Sequence, residues 1–151
     1  MINEKMKKVA IGSDPNAGEL KCYLKDRIES WGYFCEDFGS EDSVYANTAI
    51  AVAEAVAERQ YDMGILLCGT GIGMSIAANK VKGAYTALVS DVYSAERAKK
   101  SNNANIICLG AFTIGKFLAE KLVKIWMETE FQWGTSSEPK VRRYMDYDRT
   151  R

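Results

Sequence analysis

The sequence predicts a single α/β domain in which a five-stranded parallel sheet lies between two layers of helices. Short apolar runs alternate with longer helical segments along the 151 residues, a length that suits one domain. One run, 63–68 (MGILLC), is continuously apolar, which is typical of a parallel strand buried on both faces. A glycine-rich segment follows it directly, as expected of a strand-to-helix turn. Together these features favour a parallel sheet that is covered on both sides.

The first part of the chain supplies two strands and two helices. Residues 8–12 (KVAIG) form a β-rich run that ends in glycine, and residues 33–38 alternate weakly between apolar and polar. Between these strands, residues 17–31 carry apolar side chains at helical spacing, and Gly32 follows as a stop. The alanine-rich segment 47–59 (NTAIAVAEAVAER) is predicted to be the second helix.

After the central strand the same alternation continues. A third helix is predicted over residues 71–80, a fourth strand over 85–89 and a fourth helix over 91–100. The apolar run 105–109 (NIICL) is the fifth predicted strand. Residues 114–127 form the last predicted helix, because their apolar side chains fall on one stripe.

These elements predict a Rossmann-like three-layer αβα sandwich that spans residues 1–151 as one domain. Residues 131–151 are polar and aromatic, and we expect them to form a tail that packs on a neighbouring subunit. Ligands of such sheets bind beyond the carboxyl ends of the strands. That rule selects three loops for the chemistry, namely 12–17, 68–73 and 90–91.

The composition excludes several classes of function. Twenty basic residues balance twenty acidic ones, which argues against nucleic acid or an anionic membrane as the main partner. No apolar stretch reaches the length of a membrane span, and no apolar signal region follows the polar residues 1–8. We therefore expect a cytoplasmic protein.

Histidine is absent, and the four cysteines show no metal-binding spacing. Without histidine, Ser-His-Asp and Cys-His catalysis are excluded and the commonest zinc ligand is missing. The cysteines stand at 22, 35, 68 and 108 with no CxxC pair, so we expect free thiols. Acid–base chemistry must therefore come from cysteine, carboxylate, lysine, tyrosine or hydroxyl groups.

Residues 68–73 (CGTGIG) are the main candidate for a functional loop. Closely spaced glycines let backbone N–H groups converge on a phosphate or a developing oxyanion, and such a nest also favours a neighbouring thiolate. Cys68 ends the strand at the mouth of this nest, and the Thr70 hydroxyl lies within reach of the same ligand. The alternative is a plain turn with an incidental cysteine. A dinucleotide fingerprint fits poorly, because no acidic residue is suitably placed at the end of the next strand.

Three polar residues in other loops are further candidates, each with a simpler alternative. Asp14 follows the first strand and could bind sugar hydroxyls or only cap the first helix. Tyr45 and Asn102 could each contact a ligand or be ordinary surface residues.

Residues 64–80 (GILLCGTGIGMSIAANK) resemble the signature of the ribose-5-phosphate isomerase B and galactose-6-phosphate isomerase family. The likeness extends over about residues 7 to 130. Four shorter motifs support it, namely 12–14 (GSD), 37–39 (DFG), 93–95 (YSA) and 102–105 (NNAN).

The resemblance implies an aldose–ketose isomerase of sugar phosphates that needs no metal and no cofactor. Cys68 would be the base that passes a proton between C1 and C2 through a cis-enediol(ate), and Thr70 would help to move the hydroxyl proton. The amides around Gly69, Gly71 and Gly73 would stabilise the enediolate oxygen.

The resemblance also implies how the substrate is held and that active sites are shared between subunits. Asp14, Tyr45 and Asn102 match family positions that line the sugar. The segment Ser101–Asn102 would come from the second subunit of a homodimer or homotetramer. Lys140 falls on one of two arginine positions that grip the phosphate in the family.

This chain departs from the family at the groups that open the sugar ring and grip the phosphate. Pro15 stands where a histidine usually follows Asp14, and Ser101 replaces the histidine credited with ring opening. Ser136 and Lys140 stand at the two phosphate-gripping arginine positions. A four-carbon sugar phosphorylated on its terminal oxygen cannot close a furanose ring and needs no ring-opening residue. The pattern therefore favours a pair such as erythrose and erythrulose 4-phosphate.

Two other functions remain open at the level of the sequence. The chain could be a non-catalytic or partner-dependent subunit, as in the two-subunit galactose-6-phosphate isomerases. The presence of Cys68 and Thr70 argues against this, and the altered phosphate positions argue for it. A nucleotide or flavin binder is disfavoured by the absence of a dinucleotide fingerprint.

Overall fold

The computed structural model describes residues 6–151, and these form five strands and six α-helices. The strands are β1 Lys8–Ser13, β2 Phe34–Asp37, β3 Met63–Cys68, β4 Thr86–Leu88 and β5 Ile106–Gly110. The helices are α1 Gly18–Ser30, α2 Tyr45–Ala57, α3 Ile72–Ala78, α4 Val92–Lys100, α5 Lys116–Glu128 and α6 Glu138–Arg149, and a short 3-10 helix spans Pro15–Ala17.

The five strands form one parallel sheet in the order β2-β1-β3-β5-β4. The predicted parallel sheet and three-layer architecture are confirmed. All six residues of β3 are buried at the centre of the sheet, which explains its continuous apolar sequence. In the register of the sheet, Ile65 of β3 pairs with Ile11 of β1 and with Ile107 of β5.

Two apolar clusters fill the space between the sheet and its helical layers. One cluster joins the sheet to α1, α4 and α5, and Leu24, Ala95 and Leu122 are fully buried in it. The other joins the sheet to α2 and α3, and it includes the buried Val52 and Met74. Helices therefore cover both faces, as the alternating sequence pattern predicts.

Helix α6 is the element that the sequence analysis missed. Only Val141 and Asp148 are buried in it, and charged residues make up most of its sequence (EPKVRRYMDYDR), so its apolar face gives only a weak helical signal. It packs on its own chain, where the Tyr144 ring lies 5.9 Å from the ring of Tyr85. The expected packing of residues 131–151 on a neighbouring subunit stays a prediction.

The four cysteines are free thiols, as expected. Within residues 6–151 no helix has both the length and the apolar character needed to cross a membrane.

Candidate active site

The loops that follow β1, β3 and β5 meet at the carboxyl-terminal ends of the strands, which we call the carboxyl edge. The backbone N–H of Asp14 donates to the Leu67 carbonyl oxygen at 3.1 Å, joining the first two loops. The N–H of Phe112 donates to the carbonyl oxygen of Gly69 at 2.9 Å, joining the second and third. Backbone hydrogen bonds therefore hold the three loops together and leave their side chains free for other contacts.

The glycine-rich loop places a hydrogen-bond donor against the sulfur of Cys68. Gly71 adopts a left-handed backbone conformation with φ of 80°, which glycine reaches without strain. Its N–H turns back and donates to Sγ of Cys68 at 3.1 Å. Cys68 is only 5% exposed, because it is the last residue of the buried strand β3. The thiol thus lies beneath the loop with an N–H directed at it.

Two glycines of this loop are needed because aromatic side chains pack directly on them. A Cβ atom on Gly69 would lie 2.7 Å from the ring of Phe112, closer than carbon atoms approach. A Cβ atom on Gly73 would overlap the ring of Tyr45. From the sequence, these glycines are explained by the convergence of backbone N–H groups. The structure adds that a side chain at either position would clash with an aromatic ring.

Thr70 and Tyr45 flank the same loop with exposed side chains. The Oγ1 of Thr70 accepts a hydrogen bond from the N–H of Ile72 at 3.2 Å, at the start of α3. Tyr45 is the first residue of α2, and its side chain is 40% exposed although its ring lies on Gly73. Both hydroxyl groups border the loop that contains Cys68.

Asp14 is buried at the carboxyl edge with one oxygen unpaired. Its side chain makes no capping hydrogen bond to the 3-10 helix that follows, so the capping alternative is wrong. The Oδ2 atom accepts from Nδ2 of Asn16 at 3.1 Å, whereas Oδ1 has no partner among the described residues. Buried polar atoms are nearly always hydrogen-bonded, so an unpaired carboxylate oxygen suits a ligand hydroxyl.

Ser101, Asn102 and Lys140 lie at the opposite edge of the sheet from Cys68. The first two residues lie between the end of α4 and the start of β5, at the amino-terminal ends of the strands. The Oγ atom of Ser101 donates to the carbonyl oxygen of Arg97 and accepts from its Nε, both at 3.1 Å.

Lys140 is exposed near the start of α6, the helix that packs at this same edge. The five residues of β5 separate the two edges by roughly 15 Å at the usual rise of a parallel strand. One chain alone therefore does not bring these three residues to Cys68.

Phe112 and Asn16 are site residues that the sequence analysis missed. Phe112 is 71% exposed although it packs on Gly69, and Asn16 donates to Asp14. Phe112 could have been found from its place in the loop that follows the fifth strand, because ligands of parallel sheets bind at such loops. This loop was not among the three selected from the sequence.

The predicted loop 90–91 has a structural role instead. Asp91 accepts a hydrogen bond from the N–H of Ser94 at 2.7 Å and so caps α4.

Comparisons with known proteins agree with this geometry. A family model described as Ribose/Galactose Isomerase matches residues 9–144. A D-erythrulose-4-phosphate isomerase of Pectobacterium atrosepticum is 42% identical over 147 residues, which cover 95% of this chain and 96% of that relative. A ribose-5-P isomerase B of Listeria innocua is 46% identical over 132 residues, covering 85% of this chain and 89% of the relative.

A solved structure of ribose-5-phosphate isomerase B from Clostridium thermocellum superimposes with a TM-score of 0.89 at 37% identity. The match covers 95% of this chain and 98% of that chain.

Proposed function

The chain belongs to the ribose/galactose isomerase family, and on that premise we propose that it interconverts a small aldose phosphate and its ketose with Cys68 as the base. The observation that best supports this role is the hydrogen bond from the Gly71 N–H to Sγ of Cys68. A donor at the sulfur stabilises the negative charge of a thiolate, the form that takes up a proton.

In the proposed reaction one proton moves between two carbons of the open-chain sugar. The thiolate of Cys68 removes the proton from C2, next to the C1 carbonyl, and a cis-enediolate forms. The Cys68 thiol, whose proton can exchange with water, then donates a proton to C1, while the Thr70 hydroxyl helps to move the hydroxyl proton from O2 to O1. Backbone N–H groups around Gly69 and Gly73 stabilise the enediolate oxygen, as preorganised donors do in related chemistry.

Asp14 and Tyr45 are the proposed contacts to the sugar on this side of the site. The unpaired Oδ1 of Asp14 is an acceptor for a sugar hydroxyl, which would satisfy the atom at the moment of binding. Tyr45 lies on Gly73 with its side chain partly exposed, so it borders the space above the loop.

A phosphorylated four-carbon sugar is the substrate class that best fits the side chains present. The chain contains no histidine, and Ser101 stands at the family's ring-opening position. The Ser101 hydroxyl is already bonded to Arg97, and a serine is poorly suited to proton transfer near neutral pH. A tetrose 4-phosphate cannot form a furanose, so ring opening is not required. The relative named D-erythrulose-4-phosphate isomerase supports the same choice.

A homodimer or homotetramer with shared sites would bring the two edges of the sheet together. Ser101, Asn102 and Lys140 would then approach the Cys68 loop of a second copy. Ile72 and Ile76 of α3 are 53% and 58% exposed beside that loop, and such apolar exposure is typical of an interface. The tail 131–151 is proposed to pack on the neighbouring subunit, and a cytoplasmic location suits an enzyme whose substrates are phosphorylated sugars.

The test is a screen of the purified chain alone for aldose–ketose conversion. We expect conversion of erythrose 4-phosphate to exceed that of ribose 5-phosphate and of galactose 6-phosphate. Strong preference for ribose 5-phosphate would reject the tetrose assignment but not the isomerase. No conversion by the chain alone, with conversion restored by a paralogous partner, would instead support the partner-dependent subunit.

A further inference from the structure

A cavity of about 470 Å³ lies at the amino-terminal ends of the strands, the edge opposite Cys68. Its lining comes from the segments that precede β3, β4 and β5 and from the last turns of α6. Cys68, Thr70, Asp14 and Tyr45 lie at or after the ends of strands or at the start of α2. Ser101, Asn102 and Lys140 share the cavity's edge of the sheet but are not part of its lining. The cavity is therefore separate from the proposed catalytic loop of the same chain.

Both carboxylates that line this cavity already accept hydrogen bonds from the protein. Oδ2 of Asp148 accepts from the Gly83 N–H and from the Tyr85 hydroxyl, each at 2.8 Å. Its Oδ1 accepts from Nε of Arg151 at 3.0 Å. Asp62 accepts from the backbone N–H at the start of β1 at 2.8 Å. Three of the four carboxylate oxygens in the lining therefore accept hydrogen bonds from the protein.

The basic side chains that line the cavity are not neutralised in the same way. Among residues 6–151, neither Arg59 nor Lys82 pairs with a carboxylate, and Nζ of Lys82 donates only to the carbonyl oxygen of Arg149, at 3.3 Å. Arg149 pairs through Nη1 with Asp146 at 2.7 Å, which leaves its other guanidinium donors. Three cationic side chains therefore border a space in which the acidic groups are already bonded.

The backbone of Arg59 adds a second observation. Its φ is 62°, a left-handed conformation directly after α2, where glycine would be accommodated with less strain. Its N–H donates to the Val56 carbonyl oxygen at 3.0 Å, so the backbone alone makes the helix-ending hydrogen bond. The local fold does not need arginine at this position, and the Arg59 side chain lines the cavity.

We propose that this cavity binds a phosphate group, supplied by inorganic phosphate or by a small phosphate monoester. A guanidinium bonds two phosphate oxygens at once, and a lysine ammonium adds a point charge. Arg59 and Lys82 are the main ligands, and Asn103 offers an amide to a hydroxyl group of the same molecule. The volume lies within the range of pockets for small molecules.

The experiment is an NMR titration of the ¹⁵N-labelled full chain, first with inorganic phosphate and separately with glycerol 3-phosphate. Glycerol 3-phosphate has no carbonyl group, so the enzyme does not turn it over. We expect saturable shifts of the backbone amides of Gly83 and Asn103. Each of Arg59→Gly and Lys82→Gln should weaken these shifts at least about tenfold in apparent affinity, because each removes a charged hydrogen bond. Lys80→Gln is the matched control, since Lys80 is exposed outside the cavity.

The stability of Arg59→Gly makes the result interpretable. Glycine adopts a φ near 62° readily, so this variant should unfold at the same temperature as the wild type or higher. Weaker binding by a fully folded variant then reports the lost guanidinium.

Tighter binding of glycerol 3-phosphate would identify a monoester as the ligand, and tighter binding of phosphate would identify the free ion. Shifts confined to the amides of 69–73, no binding of either probe, or wild-type affinity in the variant that combines Arg59→Gly and Lys82→Gln would overturn the proposal.

Discussion

Asp14 and Asp148 are two aspartates with the same exposure, 6%, at opposite edges of one sheet, and their surroundings differ completely. Asp148 accepts hydrogen bonds from Gly83, Tyr85 and Arg151. Asp14 has one side-chain donor, and its Oδ1 has no partner among the described residues. A buried polar atom without a partner costs about 1–3 kcal/mol of stability. A contribution to stability therefore does not explain why an aspartate stands at position 14.

A related contrast appears in how the chain segments are joined at the two edges. At the amino-terminal edge, Asn105 accepts from the N–H of Tyr85 at 2.8 Å and donates to the carbonyl oxygen of Gly83 at 2.9 Å. There, polar side chains are used to join segments of the chain. At the carboxyl edge, backbone hydrogen bonds join the loops instead. Side-chain hydrogen bonds of Asn105 and Asp148 therefore stabilise the amino-terminal edge, whereas Asp14 at the carboxyl edge keeps an unpaired oxygen where we place the reaction.

The largest expected effect comes from removing the thiol of Cys68. Cys68→Ala should lower kcat/KM by about a thousandfold, because a positioned general base contributes roughly 10²–10⁴ in rate. The matched control is Cys108→Ala, a buried cysteine on the neighbouring strand β5. It should keep its turnover and lose about 1 kcal/mol of stability.

Steady-state kinetics and urea denaturation of both variants separate these effects. Near-normal turnover by Cys68→Ala would move the role of base to another group, with Asp14 as the first candidate.

The second prediction is that Asp148 is needed mainly for stability and Asp14 mainly for activity. Asp148→Ala should lower the free energy of unfolding by about 3 kcal/mol, because it leaves the Gly83 N–H and the Tyr85 hydroxyl without their acceptor. Asp14→Ala should change that free energy by less than about 0.5 kcal/mol and lower kcat/KM by about a hundredfold. The comparison fails if Asp14→Ala is the less stable variant of the two.

The sequence was sufficient to predict the parallel sheet, because a strand buried on both faces is continuously apolar, as residues 63–68 are. It was insufficient for α6, whose two buried residues, Val141 and Asp148, lie on one face of the helix but include only one apolar side chain. It also left Asp14 undecided between capping and binding. The structure decides between them, because a 3-10 helix at Pro15–Ala17 follows Asp14 and receives no capping hydrogen bond from its side chain. Local patterns predict elements, whereas the pairing of a single oxygen depends on the assembled loops.

The third prediction concerns pH. Burial alone would raise the pKa of Asp148, but hydrogen bonds from Gly83, Arg151 and Tyr85 hold it below its usual value. A lowered pKa in the folded state stabilises the protein above the unfolded value near pH 4 and ceases to do so as the pH falls through the folded pKa. The stability difference between wild type and Asp148→Ala should therefore be largest near neutral pH and shrink below about pH 4. A difference that stays constant down to pH 2 would contradict this account.

The smallest expected effect concerns the part of the amino-terminal edge that we propose to serve a second copy. Ser101→His should raise activity on ribose 5-phosphate by up to roughly tenfold, since histidine transfers protons near neutral pH. Activity on erythrose 4-phosphate should change less, because that sugar needs no ring opening. Parallel kinetic assays with both substrates measure the ratio. Equal changes on both sugars, or strong wild-type activity on ribose 5-phosphate, would remove the argument for a tetrose.

The most direct test of the central claim is the fate of the transferred proton. Isomerisation of erythrose 4-phosphate in D₂O, followed by NMR of the ketose product, reports whether solvent deuterium enters C1. A thiol exchanges its proton with water, so proton transfer through Cys68 predicts deuterium at C1 with the wild type and none above background with Cys68→Ala. Isomerisation by the wild type without any deuterium, or unchanged incorporation by Cys68→Ala, would contradict the role assigned to Cys68.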